Sequence, residues 1–187
     1  MPKIAEIEFT PNPNAKRFVL KEALTLGTAR SYDSPEQASD DPLAKALFAI
    51  PHVTEVYYVD RYLTVVQDGR AVWPELERAL AVPIREADAG AIQRAFAGPA
   101  AAKLSPDTLS DADRARLEKI NALLDDRVRP ALMMDGGGLE VVGLAGDQLS
   151  IHYQGACGTC PSSITGTMAG IEALLQTIEP KIQVIAV

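Results

Sequence analysis

Cys157 and Cys160 are the only two cysteines of the 187-residue chain, and they lie within Gly155-Ala156-Cys157-Gly158-Thr159-Cys160-Pro161-Ser162-Ser163. Sulfurs at this spacing either bind a metal or exchange with disulfides. Pro161 suits a first helical position, where its missing N–H costs nothing, so the loop is expected to cap a helix N-terminus. Unsatisfied amides and the positive end of the helix dipole favour thiolate over thiol there. Glycines and a threonine are poor core material, and the sequence therefore predicts a reactive pair in an exposed turn.

A 4Fe-4S or 2Fe-2S cluster normally takes four thiolates and a structural zinc four nitrogen or sulfur ligands, yet this chain supplies two sulfurs. His152 alternates with Ser150 and Gln154, away from Leu149, Ile151 and Tyr153, which reads as a solvated strand position. His52, between Pro51 and Val53, reads as loop. Symmetry completes the set: a two-fold homodimer brings two identical loops over one labile centre. Gly136-Gly137-Gly138 precedes a strand and lacks a Lys-Ser/Thr partner, so it reads as a flexible turn beside the cysteines and not as a phosphate loop. Gly166 and Gly170, one helical turn apart, suggest close backbone packing. No carboxylate pair or Ser-His-Asp set suggests hydrolysis.

The elements that would position the cysteines follow from periodicity and punctuation. Residues 4 to 9 alternate as a strand, Thr10 to Asn14 carry turn chemistry, and a second strand covers Arg17 to Leu20. A polar loop then leads to Asp41 as N-cap and Pro42 as first residue of a helix with Leu43, Leu47 and Ile50 on one face, stopped by Pro51. Val53 to Val59 and Tyr62 to Val66 form a hairpin around Asp60-Arg61. Trp73-Pro74 opens a helix through Leu76, Ala79 and Leu80 that Pro83 is expected to end. The alanine-rich stretch from residue 89 to 107 reads as a linker, helical in part around Ala91 to Ala97. Ser110 with Asp113 resembles a capping box for a helix carrying Leu117, Ile120, Leu124 and Val128, with Arg127 and Arg129 at its end. Strands follow at Leu139 to Val142 and Gln148 to Tyr153, then the cysteine loop, a helix with Ile164, Met168, Ile171, Leu175 and Ile178 on one stripe, and a last strand at Ile182 to Val187. The expected class is α+β: a domain over 1-88, a linker over 89-107 and a domain over 108-187. The last is a three-stranded mixed sheet packed with two helices in the order αββαβ.

Composition excludes several functions. The net charge of -7 is spread over both halves, so neither is built for nucleic acid. No apolar run approaches the roughly 20 residues of a membrane span, and the N-terminus has neither a secretory h-region nor an Arg-rich presequence, which points to the cytoplasm. In a reducing compartment the cysteines read as metal-binding or redox-active.

Residues 110 to 187 resemble the NifU-like domain of Nfu-type iron-sulfur cluster scaffold and carrier proteins. The likeness lies in Arg129-Pro130, Asp135-Gly136-Gly137, the run from Gly155 to Ser163, and Gly170-Ile171-Glu172. Residues 5 to 81 resemble the same family's N-terminal domain, through the runs from Phe9 to Ala15, Asp41 to Phe48 and Val53 to Val66. The resemblance implies that Cys157 and Cys160 bind a 4Fe-4S cluster, one per homodimer, with a 2Fe-2S form also compatible. It implies receipt from upstream assembly machinery, delivery to apo iron-sulfur proteins, and no enzymatic turnover. Gly138 departs from the acidic residue often found there, for which altered turn flexibility is the expected consequence. Two rivals use the same sulfurs: a thiol-disulfide oxidoreductase and a purely structural zinc-bridged dimer.

Overall fold

A computed structural model describes residues 2–95, 110–158 and 166–187, which fall into two units, 1–100 and 101–187, each with its own hydrophobic core. In the first, β1 (Ile4–Phe9), β2 (Ala15–Leu20), β5 (Tyr62–Gln67), β4 (Val53–Val59) and β3 (Arg30–Tyr32) make an antiparallel sheet in that spatial order. Phe18, Leu20, Val56, Tyr58, Leu63 and Val65 share one face of it, and on these pack α1 (Pro42–Phe48), α2 (Trp73–Glu86) and α3 (Ala89–Ala95). Asp41 caps α1 as expected, accepting from the amides of Leu43 and Ala44.

Several expectations change here. Pro83 lies inside α2, because Leu76, Leu80 and Ile84 continue one buried stripe past it and their burial outweighs the lost backbone bond. Ala79 is exposed, off that stripe. The polar stretch before α1 contains β3, paired with Tyr58, Tyr57 and Val56 of β4. The stretch read from residue 89 as a linker, helical in part around Ala91 to Ala97, is helical from its start: α3 covers Ala89–Ala95, with Ala89 and Ile92 buried in the first core; residues 96–109 lie outside the described residues.

The second unit runs α4 (Asp111–Arg127), α5 (Arg129–Met134), β6 (Gly137–Ala145), β7 (Gln148–Gly155), α6 (Met168–Leu175) and β8 (Gln183–Ala186). Ser110 accepts from the Asp113 amide as N-cap of α4. Pairing is antiparallel between β6 and β7 and parallel between β7 and β8, so the sheet is mixed, as the αββαβ pattern requires. The addition is α5, which follows α4 directly at Val128 because Pro130 suits an initial helical turn as well as a helix stop. Leu117, Ile120, Leu124, Leu132, Leu139, Val141, Leu149, Ile151, Ile171 and Leu175 fill the core.

The last helix ends at Leu175, and Ile178 is 43% exposed in the turn beyond it. That turn is fixed by Arg116, whose guanidinium donates to Glu179 at 2.7–3.1 Å, to Asp113 and to the Gly146 carbonyl. Glu172 anchors the return, accepting from the Val184 amide at 2.9 Å. A Cβ placed on Gly166 or Gly170 would meet nothing within 4 Å among the described residues, so these glycines serve no close packing there. Ile164 and Pro161, the expected helix start, lie outside the described residues.

Candidate functional site

The hairpin of β6 and β7 delivers the first cysteine. Gly137 stands opposite Gly155 and Gly138 opposite Gln154, so two of the three glycines expected to form a flexible turn are strand. Gly136, at φ +82°, makes the bend out of α5, and its carbonyl accepts from the Ala156 amide at 3.2 Å. Gly155, at φ +61°, turns the end of β7 back over the hairpin, and the Gly158 amide closes that turn on the Gly155 carbonyl at 3.0 Å. A Cβ on Gly137 would lie 2.5 Å from the Gln154 carbonyl oxygen, 2.6 Å from the Cys157 Sγ and 2.9 Å from the Cys157 nitrogen. Only glycine lets the cysteine strand pass so close.

Folding back over Gly137 buries Cys157, which is 2% exposed and part of the second core. The exposed position expected from its glycine-rich neighbours is therefore corrected: those glycines allow close approach to β6. Cys160 lies outside the described residues, as does the junction of the loop with a helix. From below, Arg129 ties the frame together, donating to the Leu139 carbonyl at the start of β6, to Asp125 at 2.6 Å and to Asn121 at 2.8 Å on α4.

Beside Cys157 in the same core stands Tyr153, 5% exposed, opposite Leu139. Burial, and after it the charge of Cys157, push its phenol up to about 12. Its hydroxyl oxygen has no hydrogen-bond partner among the described residues. His152 alternates to the opposite face, across from Glu140, and is half-buried there. It does not share the Cys157 side of the sheet. His52 sits in the loop before β4, bonded to Asp68 at 3.1 Å. Among the described residues no three of His, Cys, Asp or Glu gather as a metal site, and no helix is long and apolar enough to cross a membrane.

Sequence reasoning located the cysteines but missed Gly137, Tyr153 and the role of Arg129. The signal for Gly137 was incomplete: counting back from the Gly146 turn at constant register pairs Gly155 with Gly138, and only the register shift between Val141 and Gly143 moves the pairing to Gly137. Tyr153 gave a weaker sign, as a hydroxyl on the apolar side of an alternating strand.

Residues 4–89 match the family model described as scaffold protein Nfu/NifU N terminal, and residues 120–185 match the NifU-like domain. Relatives include the mitochondrial NFU1 iron-sulfur cluster scaffold homolog of Drosophila sechellia, 30% identical over 93% of this chain and 61% of that protein. The mitochondrial NifU-like protein 5 of Arabidopsis thaliana is 30% identical over 91% of this chain and 62% of its own length. The chain thus spans about three fifths of the curated relatives it matches. Among solved structures, the crystal structure of protein SAV1430 from Staphylococcus aureus is similar over 43% of this chain and 96% of its own, at 21% identity and a TM-score of 0.39.

Proposed function

The chain belongs to the Nfu/NifU family of scaffold proteins, and from that premise we propose that it is an iron-sulfur cluster scaffold and carrier. Cys157 and Cys160 hold a 4Fe-4S cluster across a homodimer and pass it to apo iron-sulfur proteins. The cluster is cargo, received from upstream assembly machinery. The observation that carries this reading is the placement of Cys157: a thiol held close against Gly137 where the hairpin ends, in the same core as a buried tyrosine hydroxyl that has no partner among the described residues. Two cysteines per chain supply half of the usual four thiolates, so a second copy completes the set.

Transfer is ligand exchange. A recipient thiolate forms a bond to iron as a cysteine of the scaffold leaves and takes up a proton, and no electron changes hands. Because Cys157 is buried, it is the ligand retained longest, and exchange begins elsewhere on the centre. That burial also argues against Cys157 as the attacking thiolate of a thiol-disulfide oxidoreductase, which has to reach a substrate disulfide. Residues 108–187 contain both cysteines and the second core, so they bind the cargo without residues 1–88, which serve in choosing recipients. The relatives' names place them in mitochondria; for this chain we propose the cytoplasm, which fractionation tests.

Anaerobic reconstitution with iron and sulfide, followed by visible absorption, metal analysis and light scattering, tests the function. The expected product is a coloured dimer with roughly two irons per chain. Uptake of zinc with no uptake of iron and sulfide would leave the structural zinc dimer, and a redox-cycling disulfide without metal would leave the oxidoreductase.

A further inference from the structure

Tyr153 carries a hydroxyl that the fold does not use. It lies in a core of leucine, isoleucine and valine side chains, is 5% exposed, and its oxygen has no hydrogen-bond partner among the described residues. Leaving a buried hydroxyl without a partner costs about 1–3 kcal/mol, a cost that phenylalanine would avoid while filling the same space. In the first core, Tyr32 and Tyr58 both donate to Asp41. Tyr153 differs in what is close to it: the same core contains Cys157, and the charge of that sulfur reaches the phenol. A neutral phenol can only help a thiolate or sulfide by donating to it, and a hydrogen bond to an ionised acceptor is roughly twice as strong as one between neutral groups.

We propose that the Tyr153 hydroxyl donates a hydrogen bond to an anionic sulfur of the loaded centre, either the Cys157 thiolate or a sulfide beside it, and thereby slows release of the cargo. The inference rests on the scaffold reading. It makes Tyr153 a positioning residue, orphaned in the empty protein and satisfied in the loaded one. No bond is made or broken: the proton stays on oxygen, and the sulfur stays on iron.

The test is Tyr153→Phe in the full chain, compared with wild type empty, loaded with iron and sulfide, and loaded with zinc alone. The empty variant is expected to melt at the wild-type temperature or above, because an unsatisfied hydroxyl has been removed. The loaded variant is expected to lose iron to a chelator about tenfold faster. Its reduction potential is expected to fall, since hydrogen bonds to cluster sulfurs raise it. Zinc brings no sulfide, so faster zinc loss as well assigns the acceptor to Cys157, whereas acceleration confined to the iron-sulfur form assigns it to sulfide. An empty variant less stable than wild type would show that the hydroxyl has a partner in the fold, and unchanged release of both cargoes would show that it has none in the centre; either overturns the inference. A wild-type protein that loads normally while Tyr153→Phe behaves identically sinks this inference alone, and a wild-type protein that does not load sinks the scaffold reading beneath it.

Discussion

Tyr58 in the first unit and Tyr153 in the second are both buried strand tyrosines, and they differ in what meets the hydroxyl. Tyr58 and Tyr32 donate to one oxygen of Asp41, whose other oxygen accepts from the Leu43 and Ala44 amides at 3.0 Å. Burial, with the charge of Asp41 adding to it, pushes both phenols well above the ordinary tyrosine value. Every polar group in that cluster is therefore committed to the fold, fixing the start of α1 against β3 and β4. Beside Cys157 the polar group is kept in place by packing alone. The contrast is between two buried tyrosine sites: in one the hydroxyls define structure with Asp41, in the other a buried donor is left in the same core as Cys157.

The largest test of this contrast is Asp41→Ala. It removes a helix cap, worth about 1 kcal/mol, and orphans two buried hydroxyls at about 1–3 kcal/mol each, so a loss of about 4 kcal/mol is expected. Trp73, the only tryptophan, lies in α2 of the first unit, and its fluorescence follows denaturant unfolding there alone. A loss below about 1 kcal/mol would mean that the cluster does not anchor α1.

Next is Gly137→Ala, where the added carbon meets main chain at 2.5 and 2.9 Å and the sulfur at 2.6 Å. Overpacking of this kind costs about 1–3 kcal/mol, and backbone does not swing aside as a flexible side chain would. Hydrogen exchange should show lost protection in β6 and β7 with the Trp73 transition unmoved. Cys157 would be displaced and cargo binding lost, which distinguishes a steric role from the flexible-turn role. Smaller again is Tyr58→Phe, expected to cost about 1–2 kcal/mol because the Asp41 Oδ2 loses one of its two donors. Set beside Tyr153→Phe, which should cost nothing, it measures the contrast directly.

What the sequence made legible was local. Asp41-Pro42 with Leu43 and Leu47 announced α1, and Ser110 with Asp113 announced α4, because caps and helical stripes are written in adjacent residues. Three residues of β3 carry no readable alternation, and Pro83 looked like a stop until Ile84 was known to be buried. Arg129-Pro130 looked like the end of a helix and begins another. At the site the sulfurs were legible by spacing and family likeness, whereas the burial of Cys157 was not, since it depends on which strand a glycine faces. Nor could sequence show that a hydroxyl lacks a partner, which is a property of everything around it.

The smallest effect belongs to the second unit's own polar anchor, Arg116 with Glu179, which is charged and partly exposed where Asp41 is sealed. Hydrogen bonds from Arg116, more than its charge, hold the Glu179 carboxyl below its ordinary value. A carboxyl depressed by folding binds its proton more weakly in the folded state than in the unfolded one. Its contribution is therefore complete above the ordinary carboxylate range and is lost as pH falls through the folded value. Side-chain exposures of 25% and 21% and screening by salt keep that contribution to about 1 kcal/mol or less. Glu179→Gln should accordingly cost about that much at pH 7 in the unfolding of the second unit. The gap to wild type should close in acid, as the native carboxyl is itself protonated, and narrow in concentrated salt. The Trp73 transition should ignore the substitution at every pH. A gap that widened in acid would mean that Glu179 is held in its protonated form, reversing the sign and removing the ion pair from the account of how the turn after α6 is fixed.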